Sequence, residues 1–116
     1  LGILSTGTIW GNIQLWDIRN SLSTPVKTIE VEKGNPITTM AMHDYAPIVA
    51  GGSNKHFIKI FNTSGKVLST IKYHDGFLGQ RIGEISCLAF HPHLPVLASG
   101  AMDSIIAIYT SSIGRR

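Results

Sequence analysis

The chain has 116 residues, of which 43% are hydrophobic and 15% are charged, and its formal net charge is +3. This composition indicates a soluble globular unit rather than a disordered one. The basic residues are scattered along the chain, which argues against a nucleic-acid-binding face. The single cysteine excludes an internal disulfide, and the lack of any run of 18 apolar residues excludes a membrane-spanning helix.

The first part of the chain begins on the apolar run Leu1-Gly2-Ile3-Leu4, which is typical of the middle of a strand. We therefore expect the sequence to belong to a longer polypeptide. Two further strands are predicted in this part, from Asn12 to Ile18 and from Val26 to Glu32, because apolar residues alternate or run together there.

The middle part predicts four strands separated by turn residues. They run from Ile37 to Met42, Ile48 to Gly51, Phe57 to Phe61 and Lys66 to Tyr73. The last part predicts three strands, from Ile85 to Phe90, Val96 to Gly100 and Ile105 to Tyr109. Cys87 lies in an apolar run, so we expect a buried, unreactive thiol. No window has the apolar spacing of a helix.

The middle and last parts are repeats of one another. A shift of 48 residues places 38–63 over 86–111 without a gap and aligns identical pairs such as His43 with His91 and Ile58 with Ile106. A shift of 45 aligns the first part with the middle part, so that Trp16 meets Phe61. A period of roughly 40–50 residues is typical of propeller blades.

Each part carries one motif, a turn of small residues followed by a strand that ends in an aromatic residue. It occurs from Thr6 to Asp17, from Gly51 to Asn62 and from Ser99 to Thr110. This motif resembles the WD repeat, in which glycine permits the turn and the aromatic fills the space between blades. The resemblance implies an all-β fold, a partial WD-repeat β-propeller of about two and a half blades of four-stranded antiparallel sheet.

The WD-repeat resemblance also implies structural roles for Trp16, Tyr109, His74 and Asp103. In that family a histidine before the first strand bonds the aspartate of the turn, and His74 with Asp103 fits this tie. Trp10 and Lys55 occupy the aspartate position in the other units, which therefore lack the same tie.

The segment between the middle and last units is longer than an ordinary loop between blades. Residues 73–81 have the sequence Tyr-His-Asp-Gly-Phe-Leu-Gly-Gln-Arg, and the chain continues into Glu84 and the next strand. This segment is similar to the insertion before the final blade in the Raptor family, the regulatory scaffold subunits of TOR complex 1. Two conservative departures occur: Leu78 replaces a methionine, and His74 separates Tyr73 from Asp75.

The Raptor resemblance implies a non-catalytic scaffold without a cofactor, which supports complex assembly, substrate presentation and nutrient-dependent regulation of TOR kinase. The implied partners are the TOR kinase, a small WD-repeat companion subunit and regulatory GTPases within a large, dimeric complex. The implied location is the cytoplasm and the lysosomal or vacuolar surface. We expect residues 1–33 to be the tail of one blade, 34–73 a second blade, 74–83 the insertion and 84–111 the last blade.

The last blade would lack its outer strand, which the resemblance assigns to the beginning of the propeller. Because blades need neighbours on both sides, we expect these 116 residues not to fold stably alone. A cooperative melting transition of the isolated chain would contradict this expectation.

The candidate partner-contact residues are Phe77, Leu78, Gln80 and Arg81 in the insertion. A long loop with apolar and cationic side chains suits a protein interface. The alternative is that Phe77 and Leu78 fold back to fill the gap between blades.

Other interpretations of the sequence are weaker. His43, His91 and His93 could suggest a metal, but the repeat-equivalent placement of His43 and His91 favours an architectural role. Asp75 and Glu84 with His74 lack a nucleophile motif, and Asn62 fits a glycosylation sequon that a cytosolic protein would not use. An unrelated WD-repeat adaptor in ubiquitin ligation or trafficking remains the rival, followed by a propeller enzyme.

Overall fold

The computed structural model describes residues 3–19, 24–54, 56–72, 82–102 and 105–110. Within these ranges the chain forms ten β-strands in three antiparallel sheets and no α-helix. The described residues therefore contain no helix that could cross a membrane. The strands are β1 Ile3–Gly7, β2 Asn12–Asp17, β3 Lys27–Glu30, β4 Ile37–Met42, β5 Ile48–Ser53, β6 Ile58–Asn62, β7 Val67–Ile71, β8 Ile85–Phe90, β9 Val96–Ala101 and β10 Ile106–Thr110.

Each sheet is an up-and-down meander in which consecutive strands pair. The first sheet contains β1, β2 and β3, the second contains β4 to β7, and the third contains β8, β9 and β10. The pairing register of β1 with β2 repeats in β5 with β6 and in β9 with β10, as the sequence repeats require. The predicted all-β fold of partial blades is confirmed, although several predicted strands begin or end one or two residues away from the observed bounds.

The turns after β2 and β6 are each held by the polar residue that follows the aromatic of the strand. The Oδ1 atom of Asp17 accepts a hydrogen bond from the backbone N–H of Arg19 at 3.0 Å. Asn62, its repeat equivalent, accepts from the N–H groups of Ser64 at 3.1 Å and Lys66 at 2.9 Å. Short polar side chains favour such local bonds, and Gly65 supplies the positive φ of 99° that the second turn needs.

The three sheets stack face to face in chain order, and two apolar layers fill the junctions. Alternation along a strand sends neighbouring residues to opposite junctions, so Val49 packs toward the first sheet and Ala50 toward the third. The first junction is built from Ile13, Leu15, Ile29, Val31, Val49, Phe57 and Phe61, with Ile37, Met40 and Met42 against them. The second junction is built from Ala50, Ile58, Ile82, Ile85 and Leu97, with Ile60, Ile71, Leu88, Phe90, Ala101 and Tyr109 against them.

The aromatics near the ends of β6 and β10 point toward the preceding sheet. Phe61 is buried in the first junction, and Tyr109 packs against the second. Trp16 lies on the outer face of the first sheet, and its indole Nε1–H donates to Thr6 Oγ1 at 2.9 Å across the β1–β2 pair.

The expected burial of Cys87 is wrong for this chain, because its side chain is exposed. Leu88 and Phe90 of β8 point into the second junction, so Cys87 points to the outward face of the third sheet. Its Sγ atom lies over Gly100, 2.7 Å from the place that a Cβ there would occupy. The sequence correctly predicted an apolar strand around Cys87, but no described element covers the outward face of the third sheet.

Candidate interaction surfaces

Two equivalent turns, residues 43–47 and 91–95, are each folded around a histidine. The Nδ1 atom of His43 accepts hydrogen bonds from the backbone N–H groups of Tyr45 at 3.1 Å and Ala46 at 2.9 Å. The Nδ1 atom of His91 accepts from the N–H groups of His93 at 3.1 Å and Leu94 at 3.0 Å. The repeat-equivalent histidines therefore have the same turn-forming role.

His43 also connects the second sheet to the third. Because its Nδ1 atom is an acceptor, the ring proton is assigned to Nε2, which donates to the backbone carbonyl of Leu94 at 2.9 Å. The ring is only 3% exposed and meets Phe90 edge to face, with 5.5 Å between centroids. A second tie lies along the same junction, where Thr38 Oγ1 donates to the carbonyl of Ile85 at 2.9 Å.

The same two turns form an exposed ring surface, which we call the His–Tyr surface and define as Tyr45, His91, His93 and Leu94. Tyr45 is 70% exposed and stacks on His93 with 5.4 Å between centroids and 17° between planes. His91 meets His93 at 6.2 Å. Preordered rings with polar edges suit a protein interface, since they contribute contact area at a low cost in entropy.

The histidines of the two turns do not form a metal centre in the described part of the chain. No group of three or more potential ligands is found among the described residues. The Nδ1 atoms of His43 and His91 are already used by their turns, which leaves too few converging donors for zinc.

The opposite edge of the stack carries an exposed apolar turn between β1 and β2. Trp10 is 68% exposed beside the exposed Ile9, while its carbonyl accepts from the backbone N–H of Gly34 at 3.0 Å. Its backbone N–H lies 3.2 Å from Thr8 Oγ1. The backbone of this turn is therefore held in place while the indole faces solvent, and Trp is among the residues most enriched at interface centres.

A lysine lies at the first junction. Lys59 Nζ donates to the backbone carbonyl of Val31 at 3.0 Å and lies 5.2 Å from the centroid of the Phe57 ring. The apolar part of the side chain can pack along the junction while the ammonium group reaches the carbonyl and the ring face. No motif predicted this tie, because the equivalent positions hold Gln14 and Ala107.

The candidate contact residues Phe77, Leu78, Gln80 and Arg81 lie outside the described residues, as do His74 and Asp103. Of the residues given structural roles, Trp16 bonds Thr6 and Tyr109 packs at the second junction. The hydroxyl of Tyr109 is buried and has no hydrogen-bond partner in the described part of the chain. The amide oxygen of Asn62, the sequon residue, is committed to its turn.

Sequence reasoning missed Tyr45. The available signal was that Tyr45 and His93 are repeat equivalents and both carry rings. Two ring residues at the same position of adjacent turns can stack across a junction, which they do.

Comparisons with known proteins identify the family. Residues 65–110 match the family model "WD domain, G-beta repeat". The chain is 43% identical to "Protein raptor homolog" of Dictyostelium discoideum over 90% of its own length and 7% of the relative's. It is 35% identical to "Target of rapamycin complex 1 subunit mip1" of Schizosaccharomyces pombe, over 86% of the chain and 8% of the relative.

A solved structure agrees with these relatives. The crystal structure of Chaetomium thermophilum Raptor matches 95% of the chain and 10% of that protein, with a TM-score of 0.78 and 31% identity. The chain belongs to the Raptor family. The expected family is thereby confirmed, and the three stacked sheets of this Raptor-family chain correspond to WD-repeat blades.

Proposed function

We propose that this chain serves a non-catalytic scaffold subunit of TOR complex 1. The observation that carries the proposal is the 43% identity to a raptor homologue over 90% of the chain, together with a relative named as a TOR complex 1 subunit. The chain matches less than a tenth of the length of these relatives. The proposal therefore concerns the contribution of these WD-repeat blades to the activity of a whole subunit.

The finer roles follow from the Raptor resemblance. We propose that the subunit supports complex assembly, presents substrates and couples TOR kinase activity to nutrients. Its proposed partners are the TOR kinase, a small WD-repeat companion subunit and regulatory GTPases, in a dimeric assembly in the cytoplasm and at the lysosomal or vacuolar surface. The stacked sheets support this role because they hold exposed turns in fixed positions, as binding repeats do.

The insertion is the proposed contact segment. We retain the assignment of residues 74–83 to an insertion between a blade at 34–73 and a last blade at 84–111, after a blade tail at 1–33. Phe77, Leu78, Gln80 and Arg81 then supply apolar and cationic contacts to a partner, while His74 and Asp103 tie the loop to the blade.

The proposal is tested by co-purification of TOR kinase with the intact native polypeptide. The double variant Phe77→Ala with Arg81→Ala is expected to reduce the recovered kinase severalfold at unchanged abundance of the polypeptide. The matched control is Ile18→Ala with Arg19→Ala, which removes an exposed apolar residue and an exposed arginine elsewhere.

Two outcomes would count against the proposal at different levels. Absence of TOR kinase from the wild-type preparation would overturn the scaffold function. Normal kinase recovery with the Phe77 and Arg81 variant, or a loss of the polypeptide itself, would overturn the contact role of the insertion.

A further inference from the structure

The last strand of the second sheet, β7, has an outer edge that no described strand covers. Within the described ranges β7 pairs with β6 on one side only. All of its residues except the last are exposed, and Val67 and Leu68 are 47% and 50% exposed. Alternate residues of an edge strand direct their backbone N–H and C=O groups away from the sheet, so β7 offers hydrogen-bonding groups to a further strand.

The regular part of this edge has defined ends. Leu68 is an extra residue that forms a bulge in the pairing with β6, while Ser69 to Ile71 stay in register. The bulge lies near the start of the strand, so it bends β7 without interrupting the rest of its edge. The edge ends at Lys72, whose backbone carbonyl accepts the N–H of Ile82 at 2.9 Å.

The equivalent strand of the first sheet, β3, has charges where β7 has none. The pairing with the preceding strand aligns Lys27 of β3 with Ser69, and Glu30 with Lys72, which directly follows β7. β3 therefore carries charges of both signs within four residues, a pattern that discourages the addition of a strand. β7 has no charged residue within its length, so its edge lacks this protection.

Both ends of the uncharged edge carry exposed lysines. Lys66 and Lys72 flank β7 directly. Lys27 adds a third cation, because its Nζ atom lies 3.5 Å from the place that a Cβ on Gly65 would occupy, in the turn before β7. None of these three ammonium groups is in an ion pair within the described part of the chain. A strand added in either direction therefore meets positive charge at each end.

We propose that β7 receives an extended segment of a partner protein, which adds to its outer edge as a further strand and carries an acidic residue at each end. In such strand addition the backbone supplies affinity and the side chains supply specificity. Lys66 and Lys72 are six positions apart, so the complementary acids lie about 20 Å apart along the added strand. The exposed Val67 and Leu68 favour apolar or β-branched residues between the two acids.

A second copy of the chain is a poorer occupant of this edge. When two copies of β7 pair antiparallel with the greatest overlap, Ser69 lies opposite its own equivalent and Lys66 lies opposite Lys72 at both ends. Like charges directly opposite each other destabilise a strand pair. The same lysines therefore discourage self-association of the edge and attract an acidic strand.

The probe is the peptide Glu-Val-Thr-Val-Thr-Val-Glu, labelled with fluorescein at its amino terminus and amidated, and fluorescence anisotropy measures its binding to the intact native polypeptide. The wild-type polypeptide is expected to bind it about tenfold more tightly than the peptide with lysine in place of both glutamates, because two attractive charge pairs become repulsive. Methylation of the backbone nitrogens between the glutamates keeps every side chain but removes the donors, and it is expected to weaken binding about tenfold.

The lysines are tested by charge reversal. Lys66→Glu with Lys72→Glu is expected to reverse the preference, so that the polypeptide binds the lysine-flanked peptide about tenfold more tightly than the glutamate-flanked one. Binding of the lysine-flanked peptide also shows that the variant is folded. Arg19→Glu with Lys33→Glu is the matched control, because it makes the same change in net charge at exposed residues outside β7, and it is expected to keep the wild-type preference.

Each part of the proposal has an outcome that would overturn it. Equal binding of the two flanked peptides by the wild-type polypeptide, or binding of neither, would overturn the acidic occupant. Undiminished binding of the N-methylated peptide would overturn its addition as a strand, and an unchanged preference in the Lys66 and Lys72 variant would overturn the role of the lysines. A peptide affinity that falls as the polypeptide concentration rises would replace the partner segment with a second copy.

Discussion

The first and second junctions have the same apolar framework but different polar ties. At the first junction, isoleucines of β2 and β3 meet Phe61 of β6, and at the second, isoleucines of β6 and β7 meet Tyr109 of β10. The first junction is tied by an ammonium group, Lys59 on the carbonyl of Val31. The second is tied by neutral groups, His43 on Leu94 and Thr38 on Ile85. Packing is thus the repeated feature, and hydrogen bonding is particular to each junction.

This difference has a physical basis in the repeat. Side-chain volume must be conserved at each step, because a stacked sheet tolerates neither a cavity nor an overlap. A polar tie needs only one donor within reach of one carbonyl, and several positions on a strand satisfy that condition. Junctions can therefore acquire different ties without changing the stack.

The largest expected effect is the loss of the aromatic from the first junction. Phe61 lies in this junction and is only 1% exposed. Phe61→Ala should therefore lower the free energy of local opening by about 3–5 kcal/mol, because it loses buried apolar surface and leaves a cavity. Hydrogen exchange of β3 and β6 amides in the intact native polypeptide measures this change. The control is Val67→Ala on the exposed β7, and a loss below about 1 kcal/mol for Phe61→Ala would show that the junction can collapse.

A substitution in the turn beside the same junction should cost about 3 kcal/mol. Gly11 has a φ of 91°, and a Cβ there would lie 1.8 Å from the backbone oxygen of Glu32, so Gly11→Ala forces the two segments apart. Gly34 also has a positive φ, 81°, but nothing lies within 4 Å of its added Cβ. Gly34→Ala should therefore cost about 1 kcal/mol, and equal costs in hydrogen exchange would contradict the clash.

The ammonium tie of the first junction should contribute less. Lys59→Met keeps the apolar stem but removes the donor to Val31, and we expect a loss of about 1–2 kcal/mol in local opening free energy. The exposed Lys66 provides the control through Lys66→Met, with an expected change within about 0.5 kcal/mol. A loss that disappears when salt is raised would show that the tie is a screened surface interaction.

The strands and their stacking were predictable from sequence, because period-two alternation and two repeat offsets both constrain them. The equivalence of His43 and His91 in the repeat predicted an architectural role for both. The structure shows the turn hydrogen bonds that each of them accepts. The exposure of Cys87 was not, since a repeat shows which face a residue lies on but not what covers it. The hydrogen bond from Lys59 to the carbonyl of Val31 was unpredictable, because the two residues are 28 positions apart and belong to no motif.

The smallest expected effect compares the two junctions at one equivalent position. The Tyr109 hydroxyl is buried at the second junction without a partner in the described part of the chain, so Tyr109→Phe should change local stability by less than about 1 kcal/mol, in the stabilising direction. The reciprocal Phe61→Tyr places a hydroxyl in the apolar first junction and should cost about 1–3 kcal/mol. Hydrogen exchange of β6 and β10 amides in the intact native polypeptide measures both changes. A loss above about 1 kcal/mol for Tyr109→Phe would mean that its hydroxyl bonds a residue outside the described ranges, and the second junction would then have a third polar tie.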